Sequence, residues 1–192
     1  MLGSMLNHKL DPYLYKLAEW SKGFIRPNHI TLIGLIVNLG AAFALALGKW
    51  KIGGIAILVA GLFDLLDGAV ARSQGQVTPF GGFFDSVIDR YSDFSLFVGL
   101  LFYYAYTGHP FLILLASTAA MGSFLVPFTR ARAETVITSC KVGLMERPER
   151  IILLALGALL DWMIPILWIL AILTHITVIQ RVLHTKRELR GS

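Results

Sequence analysis

An all-α membrane protein, with six transmembrane helices behind one amphipathic surface helix, is the fold class this sequence predicts. Three observations predict it. The 192 residues are 56% apolar with a mean hydropathy of +0.68, a membrane composition. Apolar stretches of roughly 20 residues, the length that crosses a bilayer, recur between short polar breaks. Fourteen of the 17 Lys and Arg residues lie in segments 1–29, 72–82, 130–150 and 181–192, which alternating spans place on one side. The reading is a single membrane domain over 1–192, with the surface helix at 5–24 and a six-helix bundle over 26–187. One cysteine, Cys140, rules out an intrachain disulfide framework. The N-terminal residues are mixed and amphipathic, unlike a cleavable signal peptide. Nothing here calls for a nucleic-acid partner.

Taken in order, residues 5–24 set Leu6, Leu10, Tyr13, Leu14, Leu17 and Trp20 against Lys9, Lys16 and Lys22 at helical spacing. That pattern is a helix lying on the membrane surface. The segment Arg26-Pro27-Asn28-His29-Ile30-Thr31 introduces the first span, about 30–48, with Asn28 or Thr31 as its cap. Lys49-Trp50-Lys51 forms an interfacial turn. The second span, about 52–72, leads into a run of acids. The third, about 82–106, closes on Tyr103, Tyr104 and Tyr106, which suit the opposite headgroup belt. The fourth covers about 110–129, a charged loop 130–150, the fifth a short 150–160, and the sixth 163–181 before a basic tail. The Lys/Arg bias puts both termini and the acidic hairpin on the cytoplasmic side. Asp161 reads as a turn residue, and His175 as a core histidine satisfied by its own helix.

Polar residues inside oily spans carry the functional argument. Asp64 and Asp67 are three apart, Asp85 and Asp89 four apart, so each pair shares a helical face. Between the pairs, residues 73–82 are too rich in Gly and Pro to continue a helix, and a helical hairpin with four converging carboxylates results. An ionised Asp deep in a membrane helix costs roughly 2.5–3.5 kcal/mol, so four unpaired ones cost about 10. Arg72 alone cannot balance them. An all-oxygen donor set suits Mg²⁺ or Mn²⁺, and four acids suit two ions that clamp a phosphoryl group. Structural zinc is disfavoured because the cluster has neither His nor Cys. Gly68 and Gly81 leave backbone open to a ligand, and Arg72 suits phosphate oxygens. A purely structural ionic network is the weaker reading, since buried ion pairs rarely outdo apolar packing.

The string Asp64-x-x-Asp67-Gly68-x-x-Ala71-Arg72, eight residues, then Gly81-x-x-x-Asp85-x-x-x-Asp89 resembles the signature of the CDP-alcohol phosphotransferases at every position. The resemblance implies a six-helix membrane enzyme that moves a phosphoalcohol group from a CDP-linked lipid to an acceptor hydroxyl and releases CMP. It implies that Asp64, Asp67 and Asp85 bind two metal ions, Mg²⁺ or Mn²⁺. Asp89 would complete that shell and act as the base. Gly68, Ala71, Arg72 and Gly81 would frame the cytidine diphosphate, with Asn28 and Thr31 lining the donor site. A homodimer in contact with membrane lipids is also implied.

The second half resembles the phosphatidylinositol-phosphate synthases within that family. Arg130, Arg150 and Arg181 match the basic residues that there hold the phosphate of inositol phosphate, except that the first is ordinarily Lys. The acceptor implied is a phosphorylated polyol, with glycerol phosphate or another alcohol as the alternative. Arg130, Arg132 and Arg147 also fit plain anchoring at a positive-inside face, while Arg150 and Arg181 lie nearer the spans. A cation-coupled transporter is the competing class, since intramembrane acids also mark ion paths. These acids bunch at one end instead, and no inverted repeat is present. A scaffolding protein gives no reason for carboxylates.

Overall fold

The computed structural model describes residues 27–191, so the surface helix expected at 5–24 lies outside the described residues. Within them every regular element is helical: α1 Pro27–Ala46, α2 Trp50–Ser73, α3 Pro79–Tyr106, α4 Pro110–Ala133, α5 Arg147–Leu159 and α6 Met163–Gly191. Four of these, α1, α2, α4 and α6, are long and apolar enough to cross a membrane. The 28 residues of α3 have the length, but Asp85, Asp89, Arg90 and Asp93 charge their first 15 residues. The 13 residues of α5 rise only about 20 Å at 1.5 Å each, short of a 30 Å hydrocarbon core.

Proline and glycine set most boundaries. Pro79, Pro110 and Pro148 each sit in the first two positions of a helix, where the missing N–H costs nothing. Gly48, Gly75 and Gly108 turn the chain at positive φ just beyond α1, α2 and α3. Asp161 performs the same turn between α5 and α6 with φ 58°, a conformation that Asp tolerates better than most residues. Two sequence expectations change. Only residues 74–78 break the acidic hairpin, because Thr78 caps α3 by accepting from the Gly81 N–H at 3.0 Å, which draws the Pro-Phe-Gly-Gly stretch into the helix. Asn28 and Thr31 lie inside α1 rather than capping it.

The helices close a ring through their main packing pairs: α1 on α2 and α3, α3 on α4, α4 on α6, α6 on α5, and α5 back on α2. Small residues permit the close crossings, as is usual where lipid offers no hydrophobic drive. A methyl group on Gly99 of α3 would collide with the Ala42 carbonyl of α1, and one on Gly34 would lie 3.2 Å from Phe63 Cβ of α2. Leu45, Ile57, Leu96, Phe97, Leu100, Leu154 and Leu167 fill the centre. Large apolar residues such as Ile36, Phe43 and Phe102 face outward, as a lipid-facing surface requires.

Candidate metal centre

The end of α2 and the start of α3 are neighbours in the chain, and α1 packs against both. That arrangement brings the acids together. One carboxylate oxygen from each of Asp64, Asp67 and Asp85 lies within 4.8 Å of the others. Asp67 is buried, and its Oδ2 accepts a 2.6 Å hydrogen bond from the Thr31 hydroxyl of α1. Thr31 therefore orients a carboxylate; its contact with the Pro27 carbonyl is longer, 3.2 Å. Asp85 Oδ1 is buried with no hydrogen-bond partner, an arrangement that a protein interior tolerates where a cation can bind. Three converging carboxylates with one orphaned oxygen fit a hard divalent ion.

Asp89 stands on the flank of this trio. Its Oδ1 is 2.9 Å from Arg147 Nη2, and its Oδ2 is 3.3 Å from Arg90 Nη2. Arg147 also places Nη1 2.6 Å from Asp64 Oδ1 and Nε 3.2 Å from Asp93 Oδ1. These two residues were missed by sequence reasoning. Arg147 read only as an anchor, although it stands one helical turn before Arg150 at the start of a helix. Asp93 continues the four-residue spacing of Asp85 and Asp89 along one face of α3, and that periodicity was the available signal.

A cavity of about 400 Å³ opens beside the acids between α1, α2, α3 and α5. Asp64, Asp67, Asp89 and Arg147 make its polar end, while Leu35, Ile57, Leu58, Leu62 and Ile151 make an apolar wall. The shape offers a charged headgroup site continuous with an oily lining.

The remaining expected residues fall around this core. Gly68 and Ala71 are half-buried on α2, and the exposed Arg72 folds back over Gly68, where a Cβ would stand 3.1 Å from Arg72 Nη1. Gly81 has its N–H committed to the Thr78 cap. Asn28 is half-buried one turn before Thr31. On the other side, Arg150 and Arg181 are both 2% exposed. Arg150 Nη2 donates to Asp93 Oδ2 at 2.8 Å. Arg181 donates through Nε to the Val142 carbonyl at 2.9 Å and through Nη1 to the Val126 carbonyl. Arg181 lies within electrostatic reach of both Arg130 and Arg150. Arg130 is half-exposed and pairs with Glu134 at 3.0 Å, and that hydrogen bond holds the Glu134 carboxyl below its ordinary range. His175 bonds its own helix through Nδ1 to the Ala171 carbonyl at 2.8 Å.

Residues 24–182 match the family model for CDP-alcohol phosphatidyltransferases. The chain is 38% identical to the archaetidylinositol phosphate synthase of Pyrococcus horikoshii over 166 residues, 86% of each chain. It is 33% identical to the phosphatidylinositol phosphate synthase of Mycobacteroides abscessus, over 86% of this chain and 79% of that one. The crystal structure of Mycobacterium tuberculosis phosphatidylinositol phosphate synthase with CDP-DAG bound superimposes with a TM-score of 0.81 at 31% identity, covering 90% of this chain and 92% of the other. The same enzyme in complex with manganese and citrate also gives 0.81, covering 90% and 88%.

Proposed function

The chain belongs to the CDP-alcohol phosphatidyltransferase family and is an enzyme of that class, and from that premise we propose that its acceptor is inositol phosphate and its donor a CDP-linked diacylglycerol or diether lipid. The convergence of Asp64, Asp67 and Asp85 at the polar end of an oily cavity carries the donor half of the proposal, and the mutual approach of Arg130, Arg150 and Arg181 supports the acceptor half. The named relatives and the bound CDP-DAG of the structural neighbour support the same assignment. The donor's headgroup would sit among the acids while its chains follow the apolar wall.

Two Mg²⁺ or Mn²⁺ ions would be held by Asp64, Asp67, Asp85 and Asp89, and when bound they offset the diphosphate charge and stabilise the departing phosphate. The Thr31 hydrogen bond fixes Asp67 in advance. Asp89 takes the proton of the acceptor hydroxyl as its oxygen bonds to the lipid-side phosphorus and the bond to CMP breaks. Asn28, Gly68, Ala71, Arg72 and Gly81 frame the cytidine diphosphate. Arg130, Arg150 and Arg181 hold the acceptor phosphate, with N–H donors beyond those spent on Asp93 and the carbonyls. Six spans cross the membrane as one domain over 26–187, α3 and α5 among them, with the bilayer thinned locally at the short α5; the site faces the cytoplasm, and the enzyme is a homodimer.

An acceptor screen tests this. Purified protein with labelled CDP-diacylglycerol and Mn²⁺ should give labelled product with inositol phosphate and little with inositol. Turnover with glycerol phosphate in preference to inositol phosphate would reassign the acceptor.

A further inference from the structure

Arg147 reaches the metal centre from the first position of α5, which packs on α2, and spends all three guanidinium nitrogens there. Its partners are Asp64 at 2.6 Å, Asp89 at 2.9 Å and Asp93 at 3.2 Å. Asp93 is buried and divides its two oxygens between Arg147 and Arg150, so it fixes the fork from behind. Pro148 pins the helix start that aims the side chain. Two of the three partners, Asp64 and Asp89, belong to the proposed metal shell. A guanidinium and a divalent ion cannot both claim those lone pairs at full strength.

We propose that Arg147 is a resident cation of the catalytic centre that competes with divalent metal for Asp64 and Asp89, so that metal binds tightly only when a diphosphate arrives to take the guanidinium. A diphosphate supplies what both cations then lack: oxygens for the metal and a bidentate anion for the fork. Metal binding and donor binding are thereby coupled, each raising the affinity for the other by the same factor. Asp93 is a positioning residue in this scheme. The inference rests on the metal-site reading above, and its test separates the two.

Mn²⁺ binding to the full-length protein in detergent, followed by the electron paramagnetic resonance of free Mn²⁺, reads the coupling directly, with and without CDP. A neighbouring cation shifts a carboxylate's affinity for a positive charge by one to three powers of ten. Arg147→Gln should therefore bind Mn²⁺ about tenfold or more tightly in the absence of CDP, and the gain from CDP should shrink. Arg132→Gln, which removes the same charge from an exposed position, should change neither. The melting temperature adds a second readout. Arg147→Gln should lower it in EDTA, where Asp64 and Asp93 each lose an ion pair and Asp89 keeps only Arg90, and the deficit should close in saturating Mn²⁺. Should Arg147→Gln not fold, Arg147→Lys serves: a point charge cannot span three carboxylates, so Mn²⁺ should still bind more tightly than in the native protein. Unchanged or weaker Mn²⁺ binding in the variants, or an equal loss of stability in EDTA and Mn²⁺, overturns the proposal while leaving the metal site standing. A Mn²⁺ isotherm that Asp64→Asn does not alter overturns both.

Discussion

Asp85 carries a buried carboxylate oxygen with nothing to bond, and Arg150 carries a buried guanidinium already paired with Asp93, so equal-looking motif residues have unequal consequences when changed. Removing Arg150 leaves Asp93 Oδ2 buried without its donor while Arg147 keeps the other oxygen, a loss of about 1–3 kcal/mol. Arg150→Gln should therefore lose both stability and activity, and it is a poor probe of acceptor binding. Arg130 is the better probe, because its half-exposed pair with Glu134 is worth only about 0.2–1 kcal/mol. Arg130→Gln should leave the melting temperature nearly unchanged and raise the KM for inositol phosphate about tenfold or more, as expected for a lost charge-assisted contact. Steady-state kinetics at saturating CDP-lipid, with a thermal melt of each variant, checks the contrast. A raised KM for the CDP-lipid instead would move Arg130 to the donor side.

At the scale of elements, much was legible in the sequence. All six helices begin within three residues of the expected spans, because Pro, Gly and interfacial aromatics punctuate the chain physically, whereas α6 runs on through the basic tail to Gly191. The four motif acids were legible from spacing alone, since Asp64 with Asp67 and Asp85 with Asp89 can only face one way on helices. What was not legible depends on contacts between distant segments. The Asp93–Arg147 and Asp93–Arg150 pairs join residues 54 and 57 apart, and no periodicity within one helix reveals them. The Thr31–Asp67 bond is likewise a consequence of α1 packing on α2. The crossing of α1 and α3 offers an internal control. Gly99→Ala should destabilise by about 1–3 kcal/mol, because its methyl group has only the Ala42 backbone to push against. Gly40→Ala on the same α1 has open space and should be neutral or mildly stabilising, since Ala is favoured over Gly in a helix by about 1 kcal/mol. Thermal melts in one detergent compare the two, and equal effects would contradict the packing.

For the whole molecule, the ring of six helices puts the ends of α2 and α4 and the starts of α3 and α5 at the same level, and with them every charged group assigned to the chemistry. On the proposed topology that level is cytoplasmic, a placement that rests on the positive-inside bias. In a Cys140→Ser background, a cysteine at Thr107 should react with an impermeant reagent added outside cells, and one at Ser73 should react only after permeabilisation; the reverse pattern would overturn the placement. The central claim is that the convergent aspartates hold metal to release CMP from a CDP-lipid. Release of CMP from CDP-diacylglycerol by the purified protein, in the presence of inositol phosphate, measures it most directly. The account predicts turnover with Mg²⁺ or Mn²⁺, none in EDTA, recovery on metal addition, and none for a folded Asp85→Asn protein. Undiminished CMP release in EDTA, or from Asp85→Asn, would contradict it.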